Sequence, residues 1–359
     1  MRWQRLLRLV APNIGLGDRG TKVQFVVERA DWAIRRVGEN IRDRINKDYP
    51  ETIDTTVNPL NISNRLLHFG SQYMWVSYER YLSSSNIYVV SFFHGKREDG
   101  DDTSKHIDKF LALSHKLSRI IVSNSILEQR LLSWGLPADQ ITRIPIGVDT
   151  NTFSIPTRTQ KLTVRKQFGI PAHAKVIGSF QKDGVGWGDG IEPKLIKGPD
   201  TFLAVIAKLK CLGLPIFVFL TGPSRGYIKK GLTTLGVPYV HYYPKLHSEL
   251  VRCYHALDLY LITSREEGGP MSLSESMSTG VPVVSTEVGM AVDLIKPGLN
   301  GALAPVGDIE RLTEQAAKII EGNCPAMSRL NIRDTVLPLD WACIAREHWQ
   351  RVYSPLLKI

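Results

Sequence analysis

Two carboxylates lie eight residues apart across a glycine-rich turn, at Glu267 and Glu275. Gly268 and Gly269 directly follow the first of them, and glycine lets a ligand approach the backbone closely. The residues after this turn are predicted to form a helix. The unpaired N–H groups and the positive dipole end at the start of such a helix suit a diphosphate. We therefore expect this turn to hold the phosphates of a ligand.

Strands are predicted on both sides of this turn and helix. Leu259–Ser264 has the composition of a buried strand, and Gly280–Val284 opens the next one. The carboxyl ends of the strands in an open parallel sheet face the ligand crevice. The order strand, turn, helix, strand therefore predicts that the backbone N–H groups of residues 265–271 point toward that crevice.

The whole chain alternates strand-like and helix-like segments, which is typical of parallel sheets covered by helices. The length of 359 residues favours two domains. Both are predicted to be doubly wound α/β domains, with ligand in the cleft between them. Residues 150–165 are polar and show neither hydrophobic period, so we predict the join there. The predicted domains are 1–155 and 156–339, with a C-terminal helix over 340–359.

Composition limits the class of protein. No apolar run reaches the roughly 20 residues that a bilayer-spanning helix needs, and residues 1–10 lack the zones of a signal peptide. The four cysteines are scattered without a CxxC pair, so neither disulfides nor a zinc site are expected. A cytoplasmic protein is predicted. The sequence carries no nucleic-acid recognition motif.

The net charge of +10 calls for an anionic partner or a solvated surface. Arg2, Arg5 and Arg8 alternate with apolar residues, so residues 1–10 form a basic amphipathic opening. One interpretation is peripheral contact with an anionic membrane through this segment. The other is a solvated surface together with an anion-binding cleft.

Several motifs in order give the chain a family resemblance. They are Phe93–Gly95, Ile144–Asp149, Glu267 with Glu275, Gly280–Val284, and Pro297–Gly301 before Asp308. Together they resemble the retaining glycosyltransferases of the GT-B fold, in the large family 4 grouping (glycosyl transferases group 1), whose EX7E signature corresponds to the two glutamates. The resemblance implies two Rossmann-like domains, the first for an acceptor and the second for a nucleotide-diphosphate sugar.

The resemblance also implies roles for residues near the turn. Glu267 is expected beside the transferred sugar and Glu275 on the ribose hydroxyls. An alternative for Glu275 is a capping box with Ser272. The backbone of Gly268, Gly269, Met271 and Ser272 is the expected sugar and phosphate cradle. Glu266 is interpreted as a solvated neighbour.

Cations are expected at the diphosphate, where preorganised charge stabilises the leaving group. Lys197 in the Lys197-Gly198 pair matches the family pattern. Lys182 and Lys194 are alternatives for a second cation, because the loop between them is longer than the usual spacing. A surface lysine is the ordinary alternative for each of them.

Other positions are expected at the reacting centre, the base and the acceptor. His94, at a strand end, is predicted beside the reacting centre, with a merely satisfied polar residue as the alternative. Residues 242–245 are predicted to contact the base, with Tyr243 and Pro244 among them. Asp31 and Trp32 are predicted on the acceptor side, with helix capping by Asp31 as the alternative.

Two attractive motifs are rejected. Gly15–Gly20 spells GxGxxG, but the residues after it are predicted to form a strand, whereas the dinucleotide fingerprint opens a helix. Asp99–Asp102 resembles a metal-binding DxD motif but is interpreted as a solvated acidic turn.

The predicted function is a metal-independent, retaining hexosyltransferase that needs no cofactor. Its partners would be a nucleotide sugar and a glycan, lipid-linked or small-molecule acceptor, in the biosynthesis of a cell-envelope or other glycan. One alternative is an epimerase or phosphorylase of the same fold. Another is a non-catalytic sugar-nucleotide-binding subunit of a transferase complex.

Overall fold

A computed structural model describes residues 22–30 and 33–358 of the chain. Its twelve described strands, in chain order, are β1 (Val23–Val26), β2 (Ile53–Thr56), β3 (Leu66–Phe69), β4 (Ile87–Phe92), β5 (Arg119–Val122), β6 (Ile141–Arg143), β7 (Lys175–Phe180), β8 (Ile216–Thr221), β9 (Tyr239–His241), β10 (Leu259–Ile262), β11 (Val283–Thr286) and β12 (Gly301–Ala304). They form two parallel sheets, with the orders β2-β1-β3-β4-β5-β6 and β12-β11-β10-β7-β8-β9. Each sheet is the centre of one domain.

The α-helices cover both faces of the sheets. In chain order they are α1 (Ala33–Asp48), α2 (Gln72–Tyr78), α3 (Asp101–Leu113), α4 (Ser125–Ser133), α5 (Arg158–Gln167), α6 (Pro199–Cys211), α7 (Gly226–Leu235), α8 (Leu250–His255), α9 (Met271–Ser278), α10 (Ala291–Leu294), α11 (Ile309–Glu321), α12 (Arg329–Asp334), α13 (Trp341–His348) and α14 (Ser354–Leu357). A π-helical turn, Trp349–Tyr353, joins the last two. None of the helices in the described ranges is long and apolar enough to cross a bilayer.

The sequence explains why these elements form. All six residues of β8 are buried, because a parallel strand with helices on both faces has no solvent side. Helix α11 instead has one apolar face. Its start is capped by Asp308, whose side chain accepts from the Arg311 N–H, and it ends at Gly322 in the left-handed conformation. Capping and amphipathicity together fix both the bounds and the buried side of this helix.

Most of the strand-like and helix-like segments of the sequence are found as strands and helices, with four differences. Strand β2 and helices α2 and α12 were not predicted, because all three are short and lack a clear period. The prediction of an irregular join over 150–165 was wrong in its second half, where α5 begins. Thr157 and Gln160 form a capping box at its start, and only Val164 and Arg165 are buried, which leaves too narrow a stripe to recognise.

Two chain segments cross between the domains side by side. Val148 and Asp340 form an isolated parallel bridge, and the Val148 N–H donates to the Leu339 carbonyl at 2.9 Å. The C-terminal residues then return to the first domain, where α13 packs against α1. Tyr353 Oη lies 2.6 Å from Nδ1 of the buried His68, whose other ring nitrogen contacts Ser91. His68 therefore belongs to the packing of this C-terminal segment.

Candidate active-site cleft

A cleft of about 660 Å³ separates the two domains at the carboxyl ends of their strands. Phe180 at the end of β7, Thr221 at the end of β8 and Met271 at the start of α9 line it from the second domain. Arg36 on α1 lines it from the first domain. Of the lining residues, five are Lys or Arg and two are Glu. This cleft therefore has the place of a ligand crevice in a doubly wound fold and the charge to attract an anion.

Glu267 and Lys197 form a close ion pair in this cleft. Lys197 Nζ lies 2.7 Å from each carboxylate oxygen of Glu267, and Ser264 Oγ donates to the same carboxylate at 2.7 Å. The Glu267 side chain is only 9% exposed, and a buried carboxylate needs such partners to offset the loss of its hydration. The residue predicted for the sugar and the residue predicted for the diphosphate thus lie in direct contact.

Gly198 explains why Lys197 lies where it does. A short 3-10 turn over Leu195–Lys197 ends at Gly198, which has a φ of +62° and precedes α6. A Cβ at this position would lie 1.8 Å from the Thr263 carbonyl oxygen, at the end of β10. Only glycine permits this approach, so the Lys-Gly pair places the ammonium against the turn that carries Glu267.

The turn after Glu267 packs directly on the first domain. A Cβ at Gly268 would lie 2.1 Å from the Phe93 carbonyl oxygen. Ser123 Oγ and Asn124 Nδ2 both donate to the Gly268 carbonyl. Gly269, Met271 and Ser272 follow and line the cleft. The predicted cradle is therefore brought together around the N-terminus of α9.

Glu275 is buried on α9, and both of its oxygens have close neighbours. Tyr254 Oη donates to Oε2 at 2.8 Å, and His247 Nε2 lies 2.7 Å from Oε1. The histidine contact lacks hydrogen-bond geometry, so Oε1 is without a hydrogen bond among the described residues. Burial, and then the charge of Glu275, raises the pKa of Tyr254 well above its ordinary value, which keeps the phenol protonated as a donor.

The capping-box alternative for Glu275 is not what the structure shows. Helix α9 begins after Pro270, and no side chain caps its N-terminus. Ser272 lies inside the helix, where its hydroxyl cannot serve as the N-cap. The Glu275 side chain points into the cleft lining instead.

Lys182 and Lys194 both line the cleft near Lys197. Desolvation, and then the ammonium groups of Lys197 and Lys182, lowers the pKa of Lys194. Like charges share this space at a cost that an anion between them would relieve. Both alternatives for a second cation therefore stay open.

The segment between Lys182 and Lys194 is a hairpin that is held by hydrogen bonds and an ion pair. The Val185 N–H donates to the Glu192 carbonyl and the Lys194 N–H to the Asp183 carbonyl. At its base, Arg225 Nε lies 2.9 Å from Asp183 Oδ1, and both side chains are almost fully buried. The long glycine-rich loop of the sequence thus has a defined conformation beside the cleft. Lys182 Nζ lies 4.0 Å from the centre of the Trp187 ring on this hairpin.

His94 lies just beyond the end of β4 and is exposed, but it is not among the residues that line the cleft. Desolvation, and then the Lys197 ammonium, lowers the pKa of the His94 ring from its ordinary value. The Glu267 carboxylate opposes this shift of the His94 pKa. A neutral imidazole at pH 7 follows.

The predicted base-contacting segment divides into two parts. Tyr243, Pro244 and Lys245 line the cleft. Tyr242 instead packs on the ring of Phe168, with centroids 5.2 Å apart, so it belongs to the core of the second domain.

One interpretation of a neighbouring residue was wrong. Glu266 is buried rather than solvated, and Arg130 of the first domain holds it with contacts of 2.5 and 3.2 Å. Asp99–Asp102 was also only partly right as a solvated turn, because Asp101 and Asp102 begin helix α3. The predictions for Asp31, Trp32, residues 1–10 and Gly15–Gly20 lie outside the described residues.

Arg36, His247 and Tyr254 are among the cleft residues that sequence reasoning missed. Arg36 lies on the helix after β1, and the rule for carboxyl ends of strands could have found it. No local signal marks His247 or Tyr254, whose approach to Glu275 depends on how α8 packs against α9.

Comparison with known proteins agrees with this architecture. Residues 192–334 match the family described as "Glycosyl transferases group 1". The "Lipopolysaccharide core biosynthesis mannosyltransferase LpsB" of Rhizobium meliloti (strain 1021) is 28% identical over 184 residues, which are 49% of each chain. The "Amylovoran biosynthesis glycosyltransferase AmsK" of Erwinia amylovora is 24% identical over 304 residues, 76% of this chain and 65% of that protein. The chain thus spans about half to two thirds of these two relatives.

A solved structure extends the likeness to the whole fold. Anabaena HepE, crystallised in complex with UDP, superposes with a TM-score of 0.72 at 16% identity, over 94% of this chain and all of that one. The fold is GT-B, as predicted: two doubly wound domains with a cleft between them. Within the second domain, residues 192–334 are similar to the group 1 glycosyltransferases.

Proposed function

We propose that this chain is a retaining glycosyltransferase that moves a sugar from a nucleotide-diphosphate sugar to an acceptor hydroxyl, in biosynthesis of a cell-envelope or other glycan. The observation that carries the proposal is the arrangement of Lys197, Glu267 and Glu275 around the N-terminus of α9. The names of LpsB and AmsK support a glycosyltransferase of glycan biosynthesis.

In this proposal each part of the donor has its own partners. The diphosphate lies at the start of α9 and near Lys197, with Lys182 or Lys194 as a second cation. Glu275 accepts from the ribose hydroxyls through Oε1, which has acceptor capacity left. Tyr243, Pro244 and Lys245 provide the wall for the base. Since HepE was crystallised with UDP, uridine diphosphate is the first nucleotide to test.

The reaction in this proposal breaks the bond between the anomeric carbon and the diphosphate oxygen. It forms a bond between that carbon and the acceptor hydroxyl oxygen, and the hydroxyl proton passes to the leaving diphosphate. Negative charge develops on the leaving diphosphate, and Lys197 with the N–H groups at the start of α9 stabilises it. In the proposed complex Glu267 holds the sugar, and the neutral His94 ring is beside the reacting centre. Metal independence, the hexosyl type, the cytoplasmic location and membrane contact through residues 1–10 stay predictions.

The test is a thermal-shift panel of UDP, GDP, ADP, CMP and their sugars, followed by donor turnover. A ligand that binds only the folded state raises the melting temperature. We expect stabilisation by one nucleotide, its loss in Glu275→Ala, and release of that nucleotide from its sugar. Turnover of the donor without acceptor and without nucleotide release would indicate an epimerase. Binding without turnover across a panel of glycan acceptors would indicate a non-catalytic subunit.

A further inference from the structure

Arg130 lies where the two halves of the candidate active site meet. It is on α4 of the first domain, and its two terminal nitrogens contact the two Glu266 oxygens at 2.5 and 3.2 Å. The same guanidinium donates to the Gly95 carbonyl at 3.1 Å. One side chain thus contacts the residue before Glu267 and the residue after His94.

The contact is sheltered and geometrically defined. The Arg130 and Glu266 side chains are only 14% and 9% exposed. A two-pronged arginine–carboxylate contact fixes orientation as well as distance. Such a buried pair contributes little net stability, since desolvation offsets most of the attraction. The role of the Arg130–Glu266 pair is therefore better explained by the orientation that it imposes on the two segments it joins.

The first domain also contacts the turn at the residue after Glu267. Ser123 and Asn124, also of the first domain, donate to the Gly268 carbonyl. Glu267 is therefore flanked by two anchor points on the opposite domain. Its position relative to His94 depends on contacts that form only when the domains are together.

We propose that Arg130 and Glu266 are a positioning pair, which sets the Glu267 turn against His94 when the domains meet. The inference rests on the proposed function of this cleft. Neither residue is proposed to touch the substrate. Because a displacement of about 1 Å can cost ~100-fold in rate, loss of this pair should lower turnover far more than nucleotide binding.

The test compares Arg130→Met, Glu266→Gln and the charge-reversed double variant Arg130→Glu/Glu266→Arg with the wild type. UDP-glucose and GDP-mannose are the donor probes, and nucleotide release and nucleotide affinity are both measured. We expect each single variant to lose about 10- to 100-fold in turnover, with nucleotide affinity close to wild type. The double variant should recover part of the turnover. Lys318→Met, in the exposed pair of Lys318 and Glu314, is the control.

Small-angle X-ray scattering gives a readout that needs no substrate. If the pair holds the domains together, the radius of gyration rises in Arg130→Met and stays constant in Lys318→Met. Equal turnover and equal dimensions in wild type and Arg130→Met would overturn the positioning role. A lowered melting temperature with unchanged turnover would show a merely structural pair. Failure of the wild type to bind any nucleotide would instead count against the proposed function.

Discussion

The Lys197 ammonium lies 2.7 Å from both carboxylate oxygens of Glu267. Lys197 ends the 3-10 turn before α6, whereas Glu267 lies in the turn between β10 and α9. In the proposed function Lys197 binds the diphosphate and Glu267 binds the sugar, the two groups on either side of the bond that breaks. Because the two residues form an ion pair, a substitution of either one should disturb the binding of both groups.

Lys197→Met should lower donor turnover by about 100-fold or more, because it removes a preorganised cation from the leaving diphosphate. It also leaves Glu267 without its charged partner. Lys197→Arg keeps the charge and should retain more turnover than Lys197→Met. Steady-state nucleotide release measures the effect, and Lys230→Met, an exposed lysine on α7, is the control. Wild-type turnover in Lys197→Met would remove Lys197 from the proposed mechanism.

Tyr254→Phe should weaken nucleotide binding about fivefold, because it removes one hydrogen bond, worth ~1 kcal/mol, from the Glu275 carboxylate. Isothermal titration with the stabilising nucleotide measures the change. Tyr88→Phe removes a tyrosine hydrogen bond to the Ser83 carbonyl in the first domain and serves as the matched control. If both variants bind the nucleotide equally well, Tyr254 does not support the ligand-binding state of Glu275.

Gly268→Ala should separate the catalytic turn from the first domain. The added Cβ would lie 2.1 Å from the Phe93 carbonyl oxygen, and backbone cannot yield as a flexible side chain can. Turnover should fall by about 100-fold or more, as the misplaced Glu267 no longer meets the sugar. Gly188→Ala is the control, since a Cβ added there would have no described atom within 4 Å. A fully active Gly268→Ala would show that the turn tolerates a wider separation.

Acidification should destabilise the packing of the C-terminal segment through His348. Burial, and then the nearby Arg351 charge, lowers the pKa of His348 from 6.5 to about 3. Between these values the unfolded state binds more protons than the folded state, so stability is full above about pH 6.5 and falls as pH falls. This residue alone should cost about 2 kcal/mol at pH 5. His68 and Tyr353 surround it, and burial lowers the pKa of His68 as well.

The measurement is urea unfolding at pH 7.5 and pH 5 in wild type and His348→Gln. The loss of stability between the two pH values should be smaller in the variant. Comparing each protein with itself cancels any general destabilisation by the substitution. His173→Gln, at an exposed histidine, should behave as wild type. An unchanged pH dependence in His348→Gln would assign the acid sensitivity to other groups.

The parts of the site that depend on local order were predictable from sequence. β10, the glycine turn, α9 and β11 follow one another along the chain, and each has a clear hydrophobic or glycine signal. Lys197 was predicted instead from the resemblance of the Lys197-Gly198 pair to the family pattern, and the structure adds that Gly198 permits a close approach to Thr263. These signals are local, so one sequence contains them.

The parts that depend on how domains and helices pack were not predictable. Glu266 looked like an exposed neighbour because its partner, Arg130, is 136 residues away in the other domain. Helix α5 escaped notice because its buried stripe consists of two residues and one of them is an arginine. Arg165 there satisfies its charge on Asp258, 2.6 Å away, a contact that no helical period can reveal.

The paired crossing at Val148 and Asp340 bears on how the cleft can open. Two backbones that run side by side and share hydrogen bonds resist sliding and twisting more than a single linker does. A hinge-like rotation about that crossing is therefore the domain movement that we expect. In such a movement the crossing segments, as well as the residues that line the cleft, would determine how closely Glu267 approaches His94.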